Sequence, residues 1–390
     1  MSKLSLENAT VKICSRCIYD ERVPSINFDS DGVCNYCHQL DNLVQLYGTG
    51  QEAGEKKFKG IVEKIKQAGK EKKYDCIVGV SGGTDSSYLL HLTKIWGLRP
   101  LAVHYDNTWN SAIATMNLHK VLNALDIDLY THVISNKESD DLYRAFFRAG
   151  VAELDACSDL AYAYLLRQVA SKYSIKFILE GHSFVEEGIT PLGRNYFDGR
   201  YIQSIHRQFG SIKLETYPLM TLGRFLYAAI FSRVQFIRPL WYIQYSKENA
   251  RKFLSEEFDW KYYGGHHLEN RLAAFSHGVY LPEKFDADMR NNTLAACARN
   301  GALSREDAWE AYNAPRVIEQ ELVSYFKKRL EITDDEYNQV MDTEPKDWTE
   351  YPTYKRHFEL LRPVFYVLAK FELVPRSFYL KYCFPVKERP

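Results

Sequence analysis

The sequence predicts an α/β protein with a doubly wound parallel sheet, a small metal-binding module before the sheet and a mostly helical region after it. Three observations support this fold class. Short apolar runs alternate with helical stretches, four cysteines cluster near the start of the chain, and strand patterns stop near residue 246. A chain of 390 residues is long enough for two or three domains. The predicted divisions are a metal-binding module at 1–45, a connecting helix at 46–73, the α/β domain at 74–245 and a helical region at 246–390.

The composition excludes several classes of protein. Hydrophobic residues make up 46% of the chain and charged residues 26%, which is typical of globular proteins and not of disordered ones. Lys plus Arg equals Asp plus Glu at 50 each, so there is no net positive charge to favour nucleic acid. The first residues lack an apolar signal segment, and no run approaches the ~18 apolar residues of a membrane span. We therefore expect a cytoplasmic protein with reduced cysteines.

The first part of the chain carries a metal-ligand pattern. Cys14 and Cys17 form one C-x-x-C pair, Cys34 and Cys37 form a second, and sixteen residues separate the pairs. This spacing is typical of zinc sites in which two knuckles supply four thiolates to one tetrahedral ion. Four thiolates leave no open position on the ion, so the predicted role of Zn²⁺ is structural. An iron–sulfur cluster is the alternative for the same four ligands.

The predicted elements follow one another along the chain as helix, then alternating strands and helices, then helices. The first is an amphipathic helix within 43–73, with Phe58, Ile61, Val62 and Ile65 on its apolar face. The strands are predicted at 76–80, 101–105, 129–134 and 176–180, and the helices between them at 86–96, 110–125 and 160–173. Capping boxes at 304–307 and 333–336 predict helix starts in the last third of the chain.

The strongest local motif is Ser-Gly-Gly-Thr-Asp-Ser-Ser at 81–87, between the first predicted strand and its helix. Backbone N–H groups, hydroxyls and the helix N-terminus at such a turn form a cradle for phosphate. The motif is neither a Walker A loop nor G-x-G-x-x-G. Asp85 would repel phosphate there unless it holds a cation such as Mg²⁺ or orients a donor. An ordinary Gly-Ser turn is the alternative reading.

This motif resembles the S-G-G-x-D-S-[ST] loop of the ATP pyrophosphatases, also called PP-loop enzymes. Those proteins cleave ATP between the alpha and beta phosphates and transfer AMP to a carbonyl or carboxylate oxygen. The resemblance implies ATP and Mg²⁺ as cofactors and Asp85 as a catalytic residue. It implies nucleotide-binding roles for Ser81, Gly82, Gly83, Asp85, Ser86, Ser87, Val103 and Gly181.

Three motifs in the last third of the chain narrow the resemblance. They are G-G-x-H-x-E at 264–269, L-P-x-K-F-x-x-D-x-R at 281–290, and a G-x-[LIT]-[ST]-R-E-x-A helix start at 301–308. With the cysteines and the loop, this succession resembles the N-acetyl sugar amidotransferases of the WbpG and PseA type. His266 stands where that family is expected to have Lys. Under this reading the catalytic candidates are Glu269, His267, Lys284 and Arg290, with Arg271 as a further substrate contact.

The resemblance implies an ATP-dependent reaction that turns the acetamido group of a nucleotide-linked sugar into an acetamidino group, in O-antigen or related surface-glycan synthesis. Ammonia would displace AMP from an O-adenylyl imidate. Residue 2 is Ser and no Gly-x-Cys-x-Gly elbow occurs, so we expect a separate glutaminase. The resemblance implies a partner similar to the glutaminase and cyclase subunits of imidazole-glycerol-phosphate synthase.

Two other functions are alternatives. A PP-loop tRNA thiolase would be expected to have a pair of cysteines near the loop and a basic surface, whereas Cys157 is alone and the net charge is zero. A zinc-ribbon scaffold that binds nucleotide without catalysis is the other alternative. The segment 358–382 alternates aromatic residues with Arg and Lys. That pattern favours a packed helix pair over contact with a membrane surface.

Overall fold

A five-stranded parallel sheet forms the centre of the protein, in the order β3-β2-β1-β4-β5. The computed structural model describes residues 11–189, 196–232, 234–264, 268–371 and 373–385. The strands are β1 (Cys76–Val80), β2 (Pro100–Asp106), β3 (Leu129–Val133), β4 (Phe177–Leu179) and β5 (Gln235–Ile237). Because the chain runs outward from β1 to β3 and then returns to the other side of β1, the strand order reverses between β1 and β4.

Helices cover both faces of this sheet. Those up to the last strand are α1 (Asn35–Tyr47), α2 (Glu52–Gly69), α3 (Thr84–Ile95), α4 (Ala112–Leu125), α5 (Asn136–Ala149), α6 (Ala156–Lys172), α7 (Gly199–Phe209) and α8 (Leu222–Tyr227), which a π-helical turn, Ala228–Ser232, extends. Side chains of α2, α3 and α4 share one apolar cluster with β1, and side chains of α6 share another with the opposite face. The sheet is thus buried between two layers, as the alternating pattern predicts.

The rest of the chain is helical where the structure describes it. Its α-helices are α9 (Lys247–Phe258), α10 (Arg271–Phe275), α11 (Leu281–Phe285), α12 (Arg290–Asn300), α13 (Arg305–Asn313), α14 (Leu322–Arg329), α15 (Asp334–Asp342), α16 (Lys355–Leu360), α17 (Arg362–Lys370) and α18 (Arg376–Tyr382). The two predicted capping boxes supply helix N-caps: the Ser304 hydroxyl accepts from Asp307 N, and the Thr333 hydroxyl accepts from Glu336 N. No helix within the described ranges has the length and apolar character of a membrane span.

The structure confirms the predicted fold class and most of its elements. The helix predicted within 43–73 is α2, and its Phe58, Val62 and Ile65 are buried against the sheet. Sequence analysis assigned no element to α5 or to β5. The buried face of α5 carries Glu138 and Asp141, whose carboxylates accept backbone N–H groups from residues 211–216. These buried charges interrupt the apolar periodicity, and β5 is only three residues long.

The N-terminal cysteine module packs on the helical region and not on the sheet. Its cysteines and Tyr19 share an apolar cluster with Ala295 on α12 and with Ala308 and Trp309 on α13. Arg305 at the start of α13 donates to the carbonyl oxygen of Cys14 over 2.9 Å. The segment 358–382 forms α16, α17 and α18, which pack through Phe358, Phe365 and Leu368, so its aromatic residues contribute to a helical core.

Glycine is required in the turn after β1. Gly82 has a φ of +82°, and a Cβ there would lie 2.1 Å from the carbonyl oxygen of Ala114 in α4. We predict that Gly82→Ala lowers the free energy of unfolding by roughly 1–3 kcal/mol, because it adds a clash to an unfavourable backbone conformation. Gly60→Ala is the control, since a Cβ at this exposed site in α2 meets nothing within 4 Å. It should stabilise the protein by roughly 0.5–1 kcal/mol. Denaturant unfolding measures both, and equal effects of the two changes would contradict this account.

Candidate nucleotide-binding site

The candidate site lies where the strand order reverses. In open parallel sheets, ligands bind outside the carboxyl ends of the strands at this point. The turn 81–87 leaves the carboxyl end of β1, and Glu180 and Gly181 leave the carboxyl end of the neighbouring strand β4. The two turns are in contact, because a Cβ on Gly181 would lie 2.9 Å from the carbonyl carbon of Asp85. The sheet therefore brings two predicted nucleotide-binding segments together.

Hydrogen bonds within the turn 81–87 define its shape. Gly83 N donates to the Ser81 hydroxyl over 3.3 Å, and Ser87 N donates to the Gly83 carbonyl over 3.1 Å. The Ser86 hydroxyl accepts from Ser81 N over 3.4 Å. The indole N–H of Trp260 donates to the carbonyl of Gly82 over 3.2 Å. The positive end of the α3 dipole lies at this turn.

Two hydroxyls in this turn are buried without a partner. Thr84 and Ser87 are each 1% exposed, and neither Oγ1 of Thr84 nor Oγ of Ser87 has a hydrogen-bond partner in the described part of the chain. Buried hydroxyls are normally satisfied, so unsatisfied ones in a turn need an explanation. Phosphate oxygens are acceptors that fit both hydroxyls and the backbone N–H groups of a helix start. The residues present therefore fit a nucleotide phosphate.

A lysine from outside the motif neutralises Asp85. Nζ of Lys247, the first residue of α9, lies 2.7 Å from Oδ2 of Asp85, and the hydroxyl of Tyr245 donates to Oδ1. Burial lowers the pKa of Lys247, but the carboxylates of Asp85 and Glu187 raise it by more, so the pKa is above its usual value. Sequence analysis missed Lys247 and Tyr245, because both lie about 160 residues from Asp85 and carry no motif.

The same carboxylate is the candidate ligand for Mg²⁺. The only group of three or more potential metal ligands among the described residues is the cysteine cluster, so no carboxylate cage surrounds Asp85. Mg²⁺ in nucleotide sites needs only one or two carboxylates, because substrate phosphates and water complete its shell. Oδ2 of Asp85 is paired with Nζ of Lys247, so Asp85 meets that requirement only if Lys247 shares this oxygen with the ion or releases it. Of the two roles considered for Asp85, orienting a donor is the one seen here.

Glu269 reaches the phosphate turn from the helical region. A Cβ on Gly83 would lie 3.5 Å from Oε1 of Glu269 and 3.1 Å from the hydroxyl of Tyr263. Backbone pairing positions Glu269: its carbonyl accepts from Ser111 N over 2.8 Å, directly after β2. Burial raises the pKa of Tyr263, and the carboxylates of Glu269 and Asp85 raise it further, so the phenol stays protonated. A carboxylate and a phenol thus stand over the turn.

A neutral histidine follows Gly181. Nδ1 of His182 accepts from the indole N–H of Trp241 over 3.1 Å. Burial and the guanidinium of Arg238 lower the pKa of His182 to about 4. Beside it, Arg238 donates to the carboxylate of Glu180 over 3.0 Å. The carboxyl ends of β4 and β5 therefore carry an ion pair and an imidazole that is uncharged at neutral pH.

The other predicted catalytic residues have partners away from this turn. The ammonium of Lys284 donates to the carbonyls of Val340 and Thr343 over 2.6 and 2.5 Å, at the C-terminal end of α15. Arg290 donates from Nε and Nη2 to the carboxylate of Asp288 and lines a cavity of about 970 Å³. From the sequence, Lys284 and Arg290 are candidates to stabilise the charge of pyrophosphate; these contacts do not favour that direct role, which stays a prediction.

Two further predicted positions within the described residues, Arg271 and Val103, differ in their surroundings. Arg271 pairs with Glu319 over 2.8 Å and stacks on Tyr325, so its side chain faces the helical region. Val103 is fully buried in the core on the α6 side of the sheet. His266 and His267 lie outside the described residues. The roles of these positions stay predictions.

Cys157 lies in the first turn of α6, where a helix dipole alone would lower the pKa of a thiol. The thiol is fully buried, and burial instead raises its pKa well above the usual value. The aromatic hydroxyl of Tyr217 contacts it. A thiol that stays protonated at neutral pH is a poor nucleophile, so the structure favours packing over catalysis for Cys157.

The four N-terminal cysteines form the predicted cluster. All four are fully buried, and their sulfur atoms lie within 4.8 Å of one another. The Sγ–Sγ distances are 3.8 Å for Cys14–Cys37, 3.8 Å for Cys17–Cys34 and 3.6 Å for Cys34–Cys37. A tetrahedral ion with Zn–S bonds of about 2.3 Å places its sulfurs about 3.8 Å apart. The cluster therefore fits one tetrahedral ion, and a cluster of four irons would require wider spacing.

An arginine from the helical region contacts two of these thiols. On α12, Arg299 donates from Nε to Sγ of Cys37 over 3.4 Å and from Nη2 to Sγ of Cys17 over 3.3 Å. Its guanidinium also lies 4.2 Å from the ring centroid of Tyr19. Four thiolates around Zn²⁺ carry a net charge of −2, which a buried guanidinium stabilises. The metal site and α12 therefore depend on each other.

Part of the helical region is similar to a domain family. Residues 269–364 match the family model "LPS biosynthesis protein WbpG-like, C-terminal domain". This match confirms the predicted resemblance for the region that begins at Glu269. The WbpG-like segment contains Lys284, Arg290 and Arg299, so it joins the phosphate turn, through Glu269, to the cysteine cluster, through Arg299.

Comparison with whole proteins gives more distant similarity. Uncharacterized protein MJ1599 of Methanocaldococcus jannaschii is 26% identical over 326 residues, covering 82% of this chain and 99% of that protein. Similar solved structures include NMN synthetase from Francisella tularensis, with 10% identity over 72% of this chain and 95% of that chain and a TM-score of 0.34. The U34-tRNA thiolase NcsA from Methanococcus maripaludis with its [4Fe-4S] cluster has 12% identity over 88% and 100% of the two chains and a TM-score of 0.32. NH3-dependent NAD synthetase from Campylobacter jejuni has 12% identity over 75% and 98%, with a TM-score of 0.31. All three TM-scores are below 0.5.

The neutral state of His182 predicts a pH dependence of stability. Its pKa is about 4 in the folded protein and near 6.5 in the unfolded chain. The unfolded chain therefore binds more protons between these values, and the histidine's contribution is lost as the pH falls from 6.5 to about 4. We predict that His182→Gln reduces this loss by roughly 1–3 kcal/mol, measured by denaturant unfolding at pH 7 and pH 5. The exposed His119→Gln is the control, and identical pH profiles for the two variants would contradict the assignment.

The spacing of the sulfurs predicts the metal content. We expect one zinc and no iron per chain by elemental analysis, with Cys34→Ser lowering the zinc content and the midpoint of thermal unfolding. Cys297→Ser is the matched control, since Cys297 lies outside the cluster and should leave both measurements unchanged. About four irons with labile sulfide would contradict the single-ion geometry.

Proposed function

We propose that this protein is an ATP-dependent amidotransferase that converts the acetamido group of a nucleotide-linked sugar into an acetamidino group. The observation that carries the proposal is the contact between the phosphate turn and Glu269, the first residue of the WbpG-like segment. That contact supports one composite site, in which the α/β domain activates ATP and the helical region holds the acceptor. The role in O-antigen or related surface-glycan synthesis rests on the same segment.

The first half of the proposed reaction is adenylylation. The acetamido oxygen attacks the alpha phosphorus of ATP, the bond from that phosphorus to the bridging oxygen breaks, and pyrophosphate leaves with the bonding electrons. The turn supports this step through the hydroxyls of Thr84 and Ser87 and the N–H groups of the α3 start, which are fixed before the charge develops. Lys247 lies beside Asp85, so its ammonium is our candidate to stabilise the negative charge on the departing pyrophosphate. Bound Mg²⁺ would supply further charge neutralisation.

The second half of the proposed reaction is displacement by ammonia. Ammonia attacks the imidate carbon, and the bond from that carbon to the former acetamido oxygen breaks. AMP leaves with this oxygen and the bonding electrons, and the attacking nitrogen releases one proton. Glu269 is our candidate to accept that proton, because its carboxylate stands over Gly83. The ammonia would come from a separate glutaminase subunit. The buried, protonated thiol of Cys157 supports this view, because it is unsuited to act as a nucleophile or a sulfur carrier in this chain.

The large cavity is our candidate for holding the nucleotide part of the sugar substrate, whose acetamido group must extend to the turn 81–87, because that turn does not line the cavity. It measures about 970 Å³, and the N-terminal module, the start of α6 and α11–α13 line it. This volume lies at the upper end of the range for small-molecule sites, ~300–1,000 Å³, which suits a ligand with several rings. Arg22 and Arg290 each reach it while paired with the aspartate two residues earlier. These two guanidiniums are our candidate contacts for the phosphates of the acceptor, in a lining that also holds six carboxylates.

The proposed chemistry predicts the products and one essential lysine. With ATP, Mg²⁺, ammonium and a nucleotide-linked N-acetyl sugar, we expect AMP and pyrophosphate, and neither product without the sugar. Lys247→Met should lower the rate of pyrophosphate release by about 10²–10³-fold, because it removes a buried charge beside the phosphates. Lys252→Met, at an exposed position on the same helix, is the control and should react at the rate of the unmodified protein. ADP as the product, or thiolation of RNA by the same protein, would contradict the proposal.

A further inference from the structure

A second, smaller cavity lies on the α6 side of the sheet. It measures about 220 Å³ and is bounded by α6, the ends of β4 and β5, the start of α8 and helices α16 and α18. Aromatic rings supply much of its wall, among them Phe225, Phe236, Phe358 and Phe378. None of the residues of the turn 81–87 lines it, whereas the ion pair of Glu180 and Arg238, beyond the ends of β4 and β5, does.

A buried arginine without a hydrogen-bond partner lines this cavity. Arg167 on α6 is 8% exposed, and its Nη1 atom is buried with no acceptor in the described ranges of the chain. The guanidinium lies 4.7 Å from the ring centroid of Phe236, a contact that offsets only part of the lost hydration. Burial lowers the pKa of Arg167 to about 10, so it remains charged at neutral pH. Buried charges are normally paired, and this one is not.

The other charged groups of the cavity are already matched. Glu180 accepts from Arg238 over 3.0 Å. Asp198 caps α7 by accepting from Arg200 N and Tyr201 N, each over 2.8 Å. Glu180 attracts Arg167 electrostatically without a hydrogen bond to it. Arg167 is therefore the one charged group of this cavity whose side chain has no hydrogen-bond partner in the described residues, and a carboxylate would supply the missing acceptors.

We propose that this cavity binds the carboxylate of a small organic acid that carries an aromatic ring or an acyl chain. The carboxylate would accept from Arg167, whose planar guanidinium matches two carboxylate oxygens. The apolar part of the ligand would contact Phe225, Phe236 and Phe358. A carboxylate fits better than a phosphate monoester, because it adds one negative charge and not up to two to a cavity in which Glu180 and Asp198 already equal Arg167 and Arg238 in number. This inference is independent of the proposed amidotransferase activity.

Calorimetric titration of the full-length protein with three probes of similar shape tests the ligand class. Benzoate is the carboxylate, benzamide is its neutral counterpart and phenyl phosphate is the dianion. We expect saturable binding of benzoate that is at least about tenfold tighter than that of benzamide or phenyl phosphate. Absence of benzoate binding, equal binding of benzoate and benzamide, or tighter binding of phenyl phosphate would each overturn the proposal. These comparisons need no variant and therefore do not depend on one folding.

Substitution of the arginine tests the position of the site. Arg167→Met should reduce benzoate affinity to the level of benzamide and raise the midpoint of thermal unfolding without ligand, because it removes a buried unpaired charge. The exposed Arg207→Met is the control and should change neither quantity. Unchanged benzoate affinity in Arg167→Met would overturn the proposal. Arg167→Lys, which keeps the charge without the planar fork, should bind benzoate more weakly than the unmodified protein but better than Arg167→Met.

Discussion

The ion pair between Asp85 and Lys247 is the interaction on which the candidate site depends. Asp85 lies in the first turn of α3, where a phosphate cradle would otherwise place a negative charge beside its ligand. Lys247 begins α9, the first α-helix after the last strand, so the pair joins the turn after β1 to the chain that follows β5. Because both groups are largely buried, neither tolerates loss of its partner without an uncompensated charge. The phosphate turn is therefore electrically balanced before any nucleotide binds.

The helical region is connected to that turn through a series of direct contacts. Backbone pairing beside β2 fixes Glu269 over Gly83. Farther along the same WbpG-like segment, Arg299 donates to the thiols of Cys17 and Cys37. The cysteine cluster thus has a physical role without any open coordination position: it anchors the segment that supplies Glu269. This arrangement explains why a module of about 45 residues, too small for a stable core of its own, packs on α12 and α13.

The sequence was most informative where function is encoded over a short range. The turn 81–87 is contiguous, the cysteines follow a fixed spacing, and the capping boxes each span four residues, so local pattern was sufficient for all three. Sequence analysis missed Lys247 and Tyr245, because only the fold brings them close to their partner, Asp85. Lys284 is a different case: a motif suggested chemistry, the side chain hydrogen bonds to the C-terminal carbonyls of α15, and its catalytic role stays a prediction. Sequence analysis also missed α5, because its buried carboxylates interrupt the apolar pattern. Backbone N–H groups distant in sequence satisfy these carboxylates, and the sequence alone does not show them.

The most direct test of the central claim is a crystal structure with an ATP analogue whose alpha–beta bridge cannot be cleaved. The account predicts its beta and gamma phosphates against the N–H groups at the start of α3 and the hydroxyls of Thr84 and Ser87. It also predicts that Nζ of Lys247 lies within hydrogen-bond distance of a phosphate oxygen. An analogue bound elsewhere, with the turn 81–87 unchanged and the Asp85–Lys247 pair undisturbed, would contradict it.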